Sequence, residues 1–434
     1  MKRMLLLFVS LLIVTLSLKS DLWAKPAVET AVYLPLIIKP AAAQPDPMVE
    51  FRGIWVSRFD WIPDAGVPAD PVKIDEIVDT VAAAGFNVIF FQVRGVADAL
   101  YASNLEPWSE LVSGTYGQPP DPLWDPLALM VEKAHAKGIQ VHAYINTLTV
   151  WNDCNTPPDE TVLPLPLYHQ LVIKHDVTNG VPNALQWDEH GNVYCNDYMR
   201  GTPASKFFQD HLIAVGTDLV TRYDVDGLHL DHIRYGGEIT SCDPVSAAQY
   251  GAPCWQDNGY ADWQRAQVND LVQRFYEEVV PLKADLWLSA AVWPIHRVNP
   301  AWGFPGQPQE GYKHYYQDSK AWLSGGTIDS ISPMIYPGGA FHCPDDSYWT
   351  VDRWATLVAD YQAARNGRFI IPGIGAEYCT FDEIAQRIAK ARDIGTAGHA
   401  LFSYSGLTAN GYFDDLANGP YAETAVVPDI TWHP

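Results

Sequence analysis

Residues 226–231, with the sequence DGLHLD, hold the pattern that decides the fold. Leu228 and Leu230 alternate with His229 and Asp231, and a period of two is typical of a β-strand. In a closed barrel, one set of alternating side chains packs against helices and the other set fills the lumen. The pattern therefore predicts a barrel strand that carries Asp231 inward at its C-terminal end.

The same alternation occurs in two neighbouring segments. Residues 141–146 place His142 and Asn146 on the polar face, and residues 89–94 place Arg94 there. Barrel enzymes keep their chemistry at the C-terminal ends of the strands. A lumen that becomes polar toward these ends therefore predicts a functional site.

Strand-like and helix-like segments alternate along the chain after residue 48. Strands are predicted near 51–59, 87–94, 139–146, 226–234, 287–293, 329–336, 369–376 and 398–404, and helices near 71–84, 126–137, 203–222, 261–280, 314–323, 349–365 and 380–393. Strands that alternate with helices indicate a parallel sheet, and eight such units indicate closure. We predict an α/β fold, a (β/α)8 TIM barrel with long βα loops, over residues 49–420, followed by a C-terminal tail at 421–434.

The composition excludes several classes of protein. Of 434 residues, 48% are hydrophobic and 18% are charged, which is typical of a globular chain. Lys and Arg number 28 and Asp and Glu number 51, so the formal net charge is −23. A nucleic-acid-binding protein normally carries a basic surface, so we expect no nucleic-acid partner. The charge favours a neutral or cationic partner.

The first residues have the layout of a secretory signal peptide. Lys2 and Arg3 precede an apolar run over 4–18, and Ala24 offers a small-residue cleavage site. We predict a signal peptide at 1–24, a Pro/Ala-rich linker at 25–48 and a secreted protein with no stable membrane insertion after cleavage. An uncleaved N-terminal anchor is the alternative, although the run is short for a span of about 20 residues.

The six cysteines fit an exported protein. None forms a C-x-x-C pair, and an even number in an exported chain favours disulfides. The long loops predicted after the strands contain most of them, and such loops gain from cross-links. We predict the pairs Cys154–Cys195, Cys242–Cys254 and Cys343–Cys379; buried free thiols are the alternative.

Aromatic residues near strand ends suggest a carbohydrate ligand. The chain has 16 Trp and 22 Tyr. Sugars present apolar C–H faces to aromatic rings, and Trp108, Trp293, Tyr336 and Tyr404 lie at or just past predicted strand ends, where they could provide such platforms. We expect a polysaccharide or peptidoglycan-type glycan as the partner of a monomer, although most tryptophans belong to the core.

Glycoside hydrolysis usually needs two carboxyl groups, one as acid and the other as nucleophile or base. Asp231 is the best-placed carboxylate, and a structural salt bridge to Arg94 or Arg234 is the alternative for it. For the second group, Glu377, Asp98 and Glu310 stay open. The polar residues predicted to position the sugar are Arg94, His142, Asn146 and His229.

Two other functions remain possible at this point. A barrel with the aromatic residues but no second carboxylate facing Asp231 would bind glycans without cleaving them. A metal-dependent carbohydrate deacetylase would need His229, Asp231 and His232, with His142, to converge on an ion. Alternation points His232 away from His229 and Asp231, so we predict no metal and no other cofactor.

An ordered set of short motifs resembles the bacterial glycosyl hydrolase-like family 10, formerly catalogued as domain of unknown function 187. The motifs lie at 52–56, 91–94, 98–101, 107–109, 125–127, 134–135, 142–146, 223–227, 231 and 333–336, in order between about residues 50 and 405. The resemblance implies a TIM barrel remotely related to α-amylase-type and α-galactosidase-type hydrolases. It also implies an exported or lipid-anchored protein acting on bacterial glycans, peptidoglycan strands among them, with Asp231 as the match to the strand-four catalytic Asp.

The chain departs from the family pattern at three places. His232 stands where a second Asp often follows the strand-four Asp, and residues 146–149 read NTLT instead of the usual NPYR. The fifth predicted strand ends in Val292-Trp293-Pro294, without the Glu of amylase-type relatives. The resemblance therefore leaves the acid, and retention or inversion, unassigned. No lipobox cysteine follows the signal, so lipid anchoring is not expected.

Overall fold

Eight parallel strand positions close into a barrel in the computed structural model, which describes residues 47–62, 66–174, 184–238, 240–251, 254, 257, 259–337, 343 and 349–433. The predicted signal peptide, and the predicted linker up to residue 46, lie outside the described residues. The strands are β1 (Met48–Val49), β2 (Phe51–Val56), β3 (Val88–Arg94), β4 (Gln140–Asn146), β5 (Thr149–Trp151), β6 (Met199–Arg200), β7 (Gly227–Asp231), β8 (Trp287–Val292), β9 (Ser330–Pro333), β10 (Phe369–Ile370), β11 (Gly373–Gly375), β12 (Gly398–Phe402) and β13 (Ala425–Val426).

The barrel closes because its seventh strand position is shared between β10 and β11. The sheet order is β10-β9-β8-β7-β4-β3-β2-β12-β11. Pro372 has no N–H for a ladder, and it lies between the two short strands. Ile371 N donates to Ile331 O at 3.0 Å on one side, and Ala400 N donates to Pro372 O at 3.1 Å on the other. The predicted (β/α)8 TIM barrel is confirmed.

Helices lie between the barrel strands. They are α1 (Arg58–Trp61), α2 (Val72–Ala83), α3 (Glu110–Ser113), α4 (Pro126–Ala136), α5 (Leu167–His169), α6 (Lys206–Arg222), α7 (Pro244–Tyr250), α8 (Tyr260–Arg274), α9 (Gly311–His314), α10 (Ser319–Gly325), α11 (Val351–Ala363), α12 (Phe381–Ile394), α13 (Tyr404–Asn410) and α14 (Phe413–Asn418). Local sequence explains their ends. Asp125 caps α4 through Leu127 N and Ala128 N, with Pro126 in the first turn.

Two strands end earlier than their hydrophobic patterns predict. The strand predicted at 226–234 stops at Asp231, because His232 adopts a left-handed backbone with φ 49°. The strand predicted at 51–59 stops at Val56, because Ser57 and Asp60 form a capping box that starts α1. Because both strands end early, the loop residues that follow them lie at the C-terminal end of the barrel.

The hydrophobic core has two layers, as the alternation predicts. One set of strand residues, including Ile89, Val141 and Leu228, packs against the helices. The other set fills the lumen and includes Phe51, Phe90, Tyr144 and Trp287. The lower lumen is therefore packed with rings, and an open site is left for the C-terminal ends of the strands.

We use "floor" for the N-terminal ends of the strands and "rim" for their C-terminal ends. The predicted C-terminal tail packs on the floor: β13 pairs with β1, and the Trp432 ring lies 4.8 Å from that of Phe369. Trp432 Nε1 also donates to Asp329 at 2.7 Å. Met48, which we expected to end the linker, belongs to the β1–β13 pair.

The rim loops are cross-linked. Cys154–Cys195, Cys242–Cys254 and Cys343–Cys379 form the three predicted disulfides, with Cα–Cα distances of 5.8, 5.8 and 4.5 Å. The first closes the long loop after β4, which contains the antiparallel two-stranded sheet of β5 and β6. Over the part of the chain that the structure describes, no helix combines the length and apolar character needed to span a membrane.

Candidate active site

Asp231 ends β7 and points into the rim. Its residue is 9% exposed, so the carboxylate is largely shielded from solvent but still reaches it. Tyr144 Oη donates to Oδ2 at 2.9 Å, and the His232 backbone N–H donates to Oδ1 at 2.6 Å. Arg234 Nη1 lies 3.3 Å from Oδ1. The predicted ion pair with Arg234 is therefore present, and Asp231 still lies at the rim.

These contacts keep Asp231 ionised. Burial acts to raise its pKa, but His232, Arg234 and the backbone N–H of His232 outweigh burial and lower the pKa to about 2. A carboxylate that stays charged is suited to act as a nucleophile or to stabilise positive charge. It is not suited to donate a proton at neutral pH.

Tyr144 and Asn146 flank Asp231 from the neighbouring strand. Asn146 pairs in register with Asp231, and its side-chain Oδ1 is buried without a hydrogen-bond partner in the described part of the chain. Buried polar atoms normally have partners, so this amide oxygen is available to a ligand group or water. Asn146 therefore keeps its predicted place in the candidate site.

Aromatic rings form two walls near Asp231. Tyr336 stacks on Phe402 at 5.1 Å with an interplanar angle of 3°, and Trp55 lies 6.5 Å from Tyr336. In a second group, Trp293 packs against Tyr315 at 4.0 Å. The Arg234 guanidinium lies 5.6 Å from the Trp293 ring centroid. Trp293 and Tyr336 thus lie where we expect a sugar platform.

Arg94 does not belong to the open site, which corrects our expectation. It is fully buried, and its Nε donates to both carboxylate oxygens of Glu106 at 3.0 and 2.9 Å. Its Nη1 donates to the carbonyl oxygens of Asn146, Thr147 and Thr149. Arg94 therefore holds the loop after β4 and supports the site from below.

His142 and His229 also lie too deep for the role we expected. His142 is enclosed by Phe51, Phe90 and Trp287, with ring distances of 5.5 to 6.0 Å. His229 stacks on Phe90 at 4.1 Å. Burial lowers the pKa of His142 to about 4 and that of His229 to about 3, so both rings are neutral.

The hydrogen bonds of His229 also bear on the metal alternative. Trp55 Nε1 donates to His229 Nε2 at 3.1 Å, so Nδ1 carries the proton and donates to Ser289 Oγ at 2.8 Å. Both ring nitrogens are therefore used within the protein. His232 turns toward Tyr198, whose ring lies 5.3 Å away. This arrangement does not suit the ligand set that a deacetylase would need.

The three candidate acids occupy different settings. Glu310 Oε1 accepts the Val298 N–H at 3.0 Å and so braces the loop after β8. Glu377 is exposed beside Tyr378. Asp98 is 6% exposed and accepts the Val96 N–H at 2.7 Å. Within the described residues, neither Glu310 nor Glu377 forms a hydrogen bond or ion pair with Asp231, Tyr144 or Arg234, and the choice of the acid stays a prediction.

Asp98 lines a small cavity beside the mouth. The cavity has a volume of about 110 Å³ and is bounded by residues of the first three rim loops, which include Arg58, Asp98, Tyr116 and Trp151. Tyr116 and Trp151 make an edge-to-face contact at 5.4 Å. Polar and aromatic groups therefore meet at Asp98, and of the three candidates it has the setting that best suits an acid.

Trp108 and Tyr404 contribute little to the mouth. Trp108 is half-buried against the helix layer, and its backbone bridges to Ala99. Tyr404 begins α13, and its ring packs on Phe413 at 5.4 Å. Neither ring is grouped with the aromatic walls around Asp231.

Sequence reasoning missed four residues around Asp231: Tyr144, Arg58, Tyr198 and Arg200. Tyr144 shares the inner face with Asn146, so alternation could have indicated it. Arg58 follows an unexpected helix cap, and Tyr198 and Arg200 come from the long loop after β4. No periodic signal exists in such segments, because their positions depend on the tertiary fold.

This protein is a closed (β/α)8 barrel with an ionised Asp at the C-terminal end of β7, the fourth strand of the barrel. These features place it in the class of TIM-barrel proteins that includes glycoside hydrolases. The sequence profile of the family described as glycosyl hydrolase-like 10 matches residues 50–359. The chain belongs to this family, as the motifs predict.

Curated relatives agree with this assignment, and a solved structure agrees with the fold. Glycosyl hydrolase YngK of Bacillus subtilis strain 168 is 26% identical, with 88% of this chain and 74% of the relative aligned. Glycosyl hydrolase DigH of Escherichia coli K12 is 28% identical over 71% of this chain and 70% of the relative. The PgaB (BpsB) glycoside hydrolase domain from Bordetella bronchiseptica has a TM-score of 0.58 at 14% identity, covering 85% of this chain and 98% of that domain. At that identity the structural likeness shows the fold alone.

Proposed function

We propose that this protein is a secreted glycoside hydrolase that cleaves glycosidic bonds of a polysaccharide or bacterial cell-wall glycan. The observation that carries the proposal is the setting of Asp231. It is ionised at the C-terminal end of β7, hydrogen-bonded by Tyr144 and paired with Arg234. The Trp293 ring lies 5.6 Å from the Arg234 guanidinium, and Tyr336 stacks on Phe402. This combination suits a sugar ring and the positive charge that develops on it.

In the proposed mechanism, Asp231 either attacks the anomeric carbon, forming a glycosyl ester that water then hydrolyses, or stabilises the oxocarbenium character while a water deprotonated by a carboxylate attacks directly. The Tyr144 hydroxyl holds the carboxylate in one orientation, and Arg234 keeps it charged. A second carboxyl group donates a proton to the leaving oxygen, and Asp98 is our candidate. A separation of about 5–5.5 Å between the two groups would give retention and about 6.5–9.5 Å would give inversion.

Export and a wall-glycan substrate belong to the proposal. The N-terminal sequence has the layout of a signal peptide, and three disulfides fit an oxidising compartment. Two relatives carry the name glycosyl hydrolase. We propose that the mature protein is a monomer with no cofactor.

The test compares wild type with Asp231→Asn on a panel of wall glycans and plant polysaccharides, with products detected by mass spectrometry. We expect wild type to release oligosaccharides and Asp231→Asn to lose at least about 1000-fold in turnover, since it lacks the charged carboxylate. Asp224→Asn is the matched control, because the Asp224 side chain is 76% exposed beside Lys283. Unchanged turnover in Asp231→Asn would remove Asp231 from the mechanism.

A non-catalytic glycan-binding barrel is the second candidate. It is favoured by one observation: Glu310 and Glu377 are turned to other partners, and Asp98 is the remaining acid of the three predicted. Calorimetric titration on the same panel separates the two. Binding of a glycan without product release by wild type, over days at micromolar enzyme, would favour the binding barrel.

A further inference from the structure

Two nearly buried arginines at the rim lack an acidic partner. Arg58 and Arg200 are each 6% exposed. Among the described residues, neither has a carboxylate oxygen within 4.0 Å of its guanidinium. Other buried arginines differ: Arg52 pairs with Glu50 at 2.7 Å, and Arg94 pairs with Glu106 at 2.9 Å. The rim thus holds buried positive charge that the protein itself does not neutralise.

Both guanidinium groups lie beside Tyr198. Arg58 Nη2 donates to Tyr198 Oη at 3.1 Å, and Arg200 Nη1 donates to Tyr198 O at 3.0 Å. The Arg58 and Arg200 Cζ atoms lie 6.0 and 5.7 Å from the Tyr198 ring centroid. Since the Tyr198 ring also contacts His232, next to Asp231, the pair lies close to the candidate nucleophile.

Several donors of this pair are unused. Arg200 Nε is buried and has no hydrogen-bond partner within the described residues. Burial, with the nearby charge of Arg234, lowers the pKa of Arg200 to about 10, so it remains protonated at neutral pH. Gly236 lies against the Tyr194 ring and Arg200, since a Cβ there would be 2.5 Å from Tyr194 Cε1 and 3.2 Å from Arg200 Nη1. The lack of a side chain at this position leaves room for both groups.

Neighbouring acids do not neutralise the pair. Asp231 is already paired with Arg234. Asp197 acts on Arg200 only at a distance, and it is exposed. Asp98 approaches Arg58 across Gly95 without forming an ion pair. His232 is neutral, because burial lowers its pKa to about 3.

An unpaired buried charge is costly, and an anion that binds beside it removes the cost. A guanidinium offers parallel N–H donors that match a carboxylate. Together with the proposed sugar site at Asp231, this geometry favours a carboxylate carried on the sugar itself. We propose that Arg58 and Arg200, with Tyr198, form a subsite for the carboxylate of an acidic sugar in the substrate; the proposal rests on the proposed function.

The net charge of −23 does not oppose this subsite. Exposed charges are screened beyond about 8 Å at physiological ionic strength, whereas buried groups are screened much less. The preference for a neutral or cationic partner, which the composition favours, thus describes the outer surface. The local charge at the rim decides which sugar binds.

The experiment measures binding by calorimetry to the full chain carrying Asp231→Asn, so that the probes are not consumed. The first probe pair is hexagalacturonate and its carboxyl-reduced form. The second pair is a peptide-free muramic-acid glycan strand and its carboxyl-reduced form. We expect at least one acidic probe to bind about ten-fold or more tightly than its reduced form.

Arginine variants then test which residues recognise the carboxylate. Arg200→Gln and Arg58→Gln should each reduce the preference at least about five-fold, because each removes one guanidinium from the pair. Arg200→Lys keeps the charge and should keep part of the preference, which protects the test against a folding defect. Arg222→Gln is the control, since Arg222 pairs with Asp218 on the surface of α6.

The outcomes identify the source of the carboxylate and test the subsite separately from the proposed hydrolase. A preference for galacturonate alone identifies a uronic acid, and a preference for the glycan strand alone identifies a lactyl carboxylate. Equal binding of acidic and reduced probes, binding of none, or a preference that survives both glutamine variants overturns the subsite. If the acidic probes bind preferentially but the wild type cleaves no glycan, the proposed hydrolase is refuted and the subsite is kept. If the wild type cleaves neutral glycans and shows no preference for acidic probes, the subsite is refuted and the proposed hydrolase is kept.

Discussion

The floor of this barrel pairs its buried charges, whereas the rim leaves two of its buried arginines without a carboxylate partner among the described residues. At the floor, Glu50 is held by Arg52 at 2.7 Å and by Arg392 at 2.7 and 2.9 Å. Asp329 accepts hydrogen bonds from Leu288 N, Trp432 and His433. At the rim, Arg58 and Arg200 lie without a carboxylate partner among the described residues.

The difference separates stability from function. Charges that are paired at the floor cost little, and losing one partner leaves the other stranded. Charges left unpaired at the rim lower stability and are available to a ligand. The comparison therefore predicts large stability effects from floor variants and large activity effects from rim variants.

Arg52→Met should have the largest effect on stability. Arg52 is fully buried and donates to Glu50 and to the Glu423 carbonyl, so its loss leaves buried acceptors unpaired. We expect the free energy of unfolding to fall by about 3–5 kcal/mol, measured by urea denaturation. Arg222→Met, on the surface, should change it by no more than about 0.5 kcal/mol. If Arg52→Met lost turnover while keeping its unfolding free energy, the comparison would be contradicted.

Tyr144→Phe should lower kcat by about 10- to 100-fold, because Asp231 loses a hydrogen bond to its charged form. The unfolding free energy should change much less than in Arg52→Met. Tyr223→Phe is the matched control: its hydroxyl also donates to an Asp, Asp125, but at the start of α4. Steady-state kinetics on the best substrate gives kcat for Tyr144→Phe and for Tyr223→Phe. Equal kcat losses in the two variants would contradict the assignment of Tyr144.

Trp293→Ala should raise KM about ten-fold with little change in kcat, because the ring is expected to bind the sugar face equally in the ground and transition states. Trp302→Ala, in the same loop after β8, serves as the control. If KM is unchanged in Trp293→Ala, the wall that Trp293 forms with Tyr315 is structural only.

The smallest expected effect is the pH dependence of stability at the floor. Burial would raise the pKa of Glu50, but the hydrogen bond from Arg392, the charge of His399 and the hydrogen bond from Arg52 lower it to about 2. Because the folded pKa is below the unfolded value of about 4.3, this stabilisation is complete above about pH 5 and is lost as the pH falls toward 2.

Urea denaturation at pH 7, 5, 4 and 3 measures this loss. The contribution of Glu50 should be about 1 kcal/mol after allowance for solvent screening. Glu50→Gln should lower stability at pH 7 and flatten the decline between pH 5 and 3. A decline of equal slope in wild type and Glu50→Gln would assign it to other carboxylates.

Much of the architecture could be predicted because it depends on local periodicity. Alternation in 141–146 and 226–231 gave the correct inner and outer faces, and the spacing of cysteines in long loops gave all three disulfides. The inward position of Asp231 followed from the same pattern.

The candidate site was harder to predict, because alternation reports the direction of a side chain and not its depth. His142 and His229 point inward as expected, yet they lie in the ring-packed lumen below Asp231. Arg94 ends its strand at the rim, yet Glu106 and three carbonyls bind it. Depth depends on strand tilt and on loop contacts, which no local pattern records.

By itself, the sequence determined the barrel, the inward face of three of its strands, the disulfide pairs and the candidate Asp231, since these follow from short-range patterns and chain order. Only the tertiary structure decided which polar residues stay open to a ligand. Arg58 and Arg200 are far apart in the chain and meet at Tyr198 through a helix cap and a cross-linked loop. Whether their charges are paired is decided by the tertiary fold, because pairing depends on distances between segments and not on the segments alone.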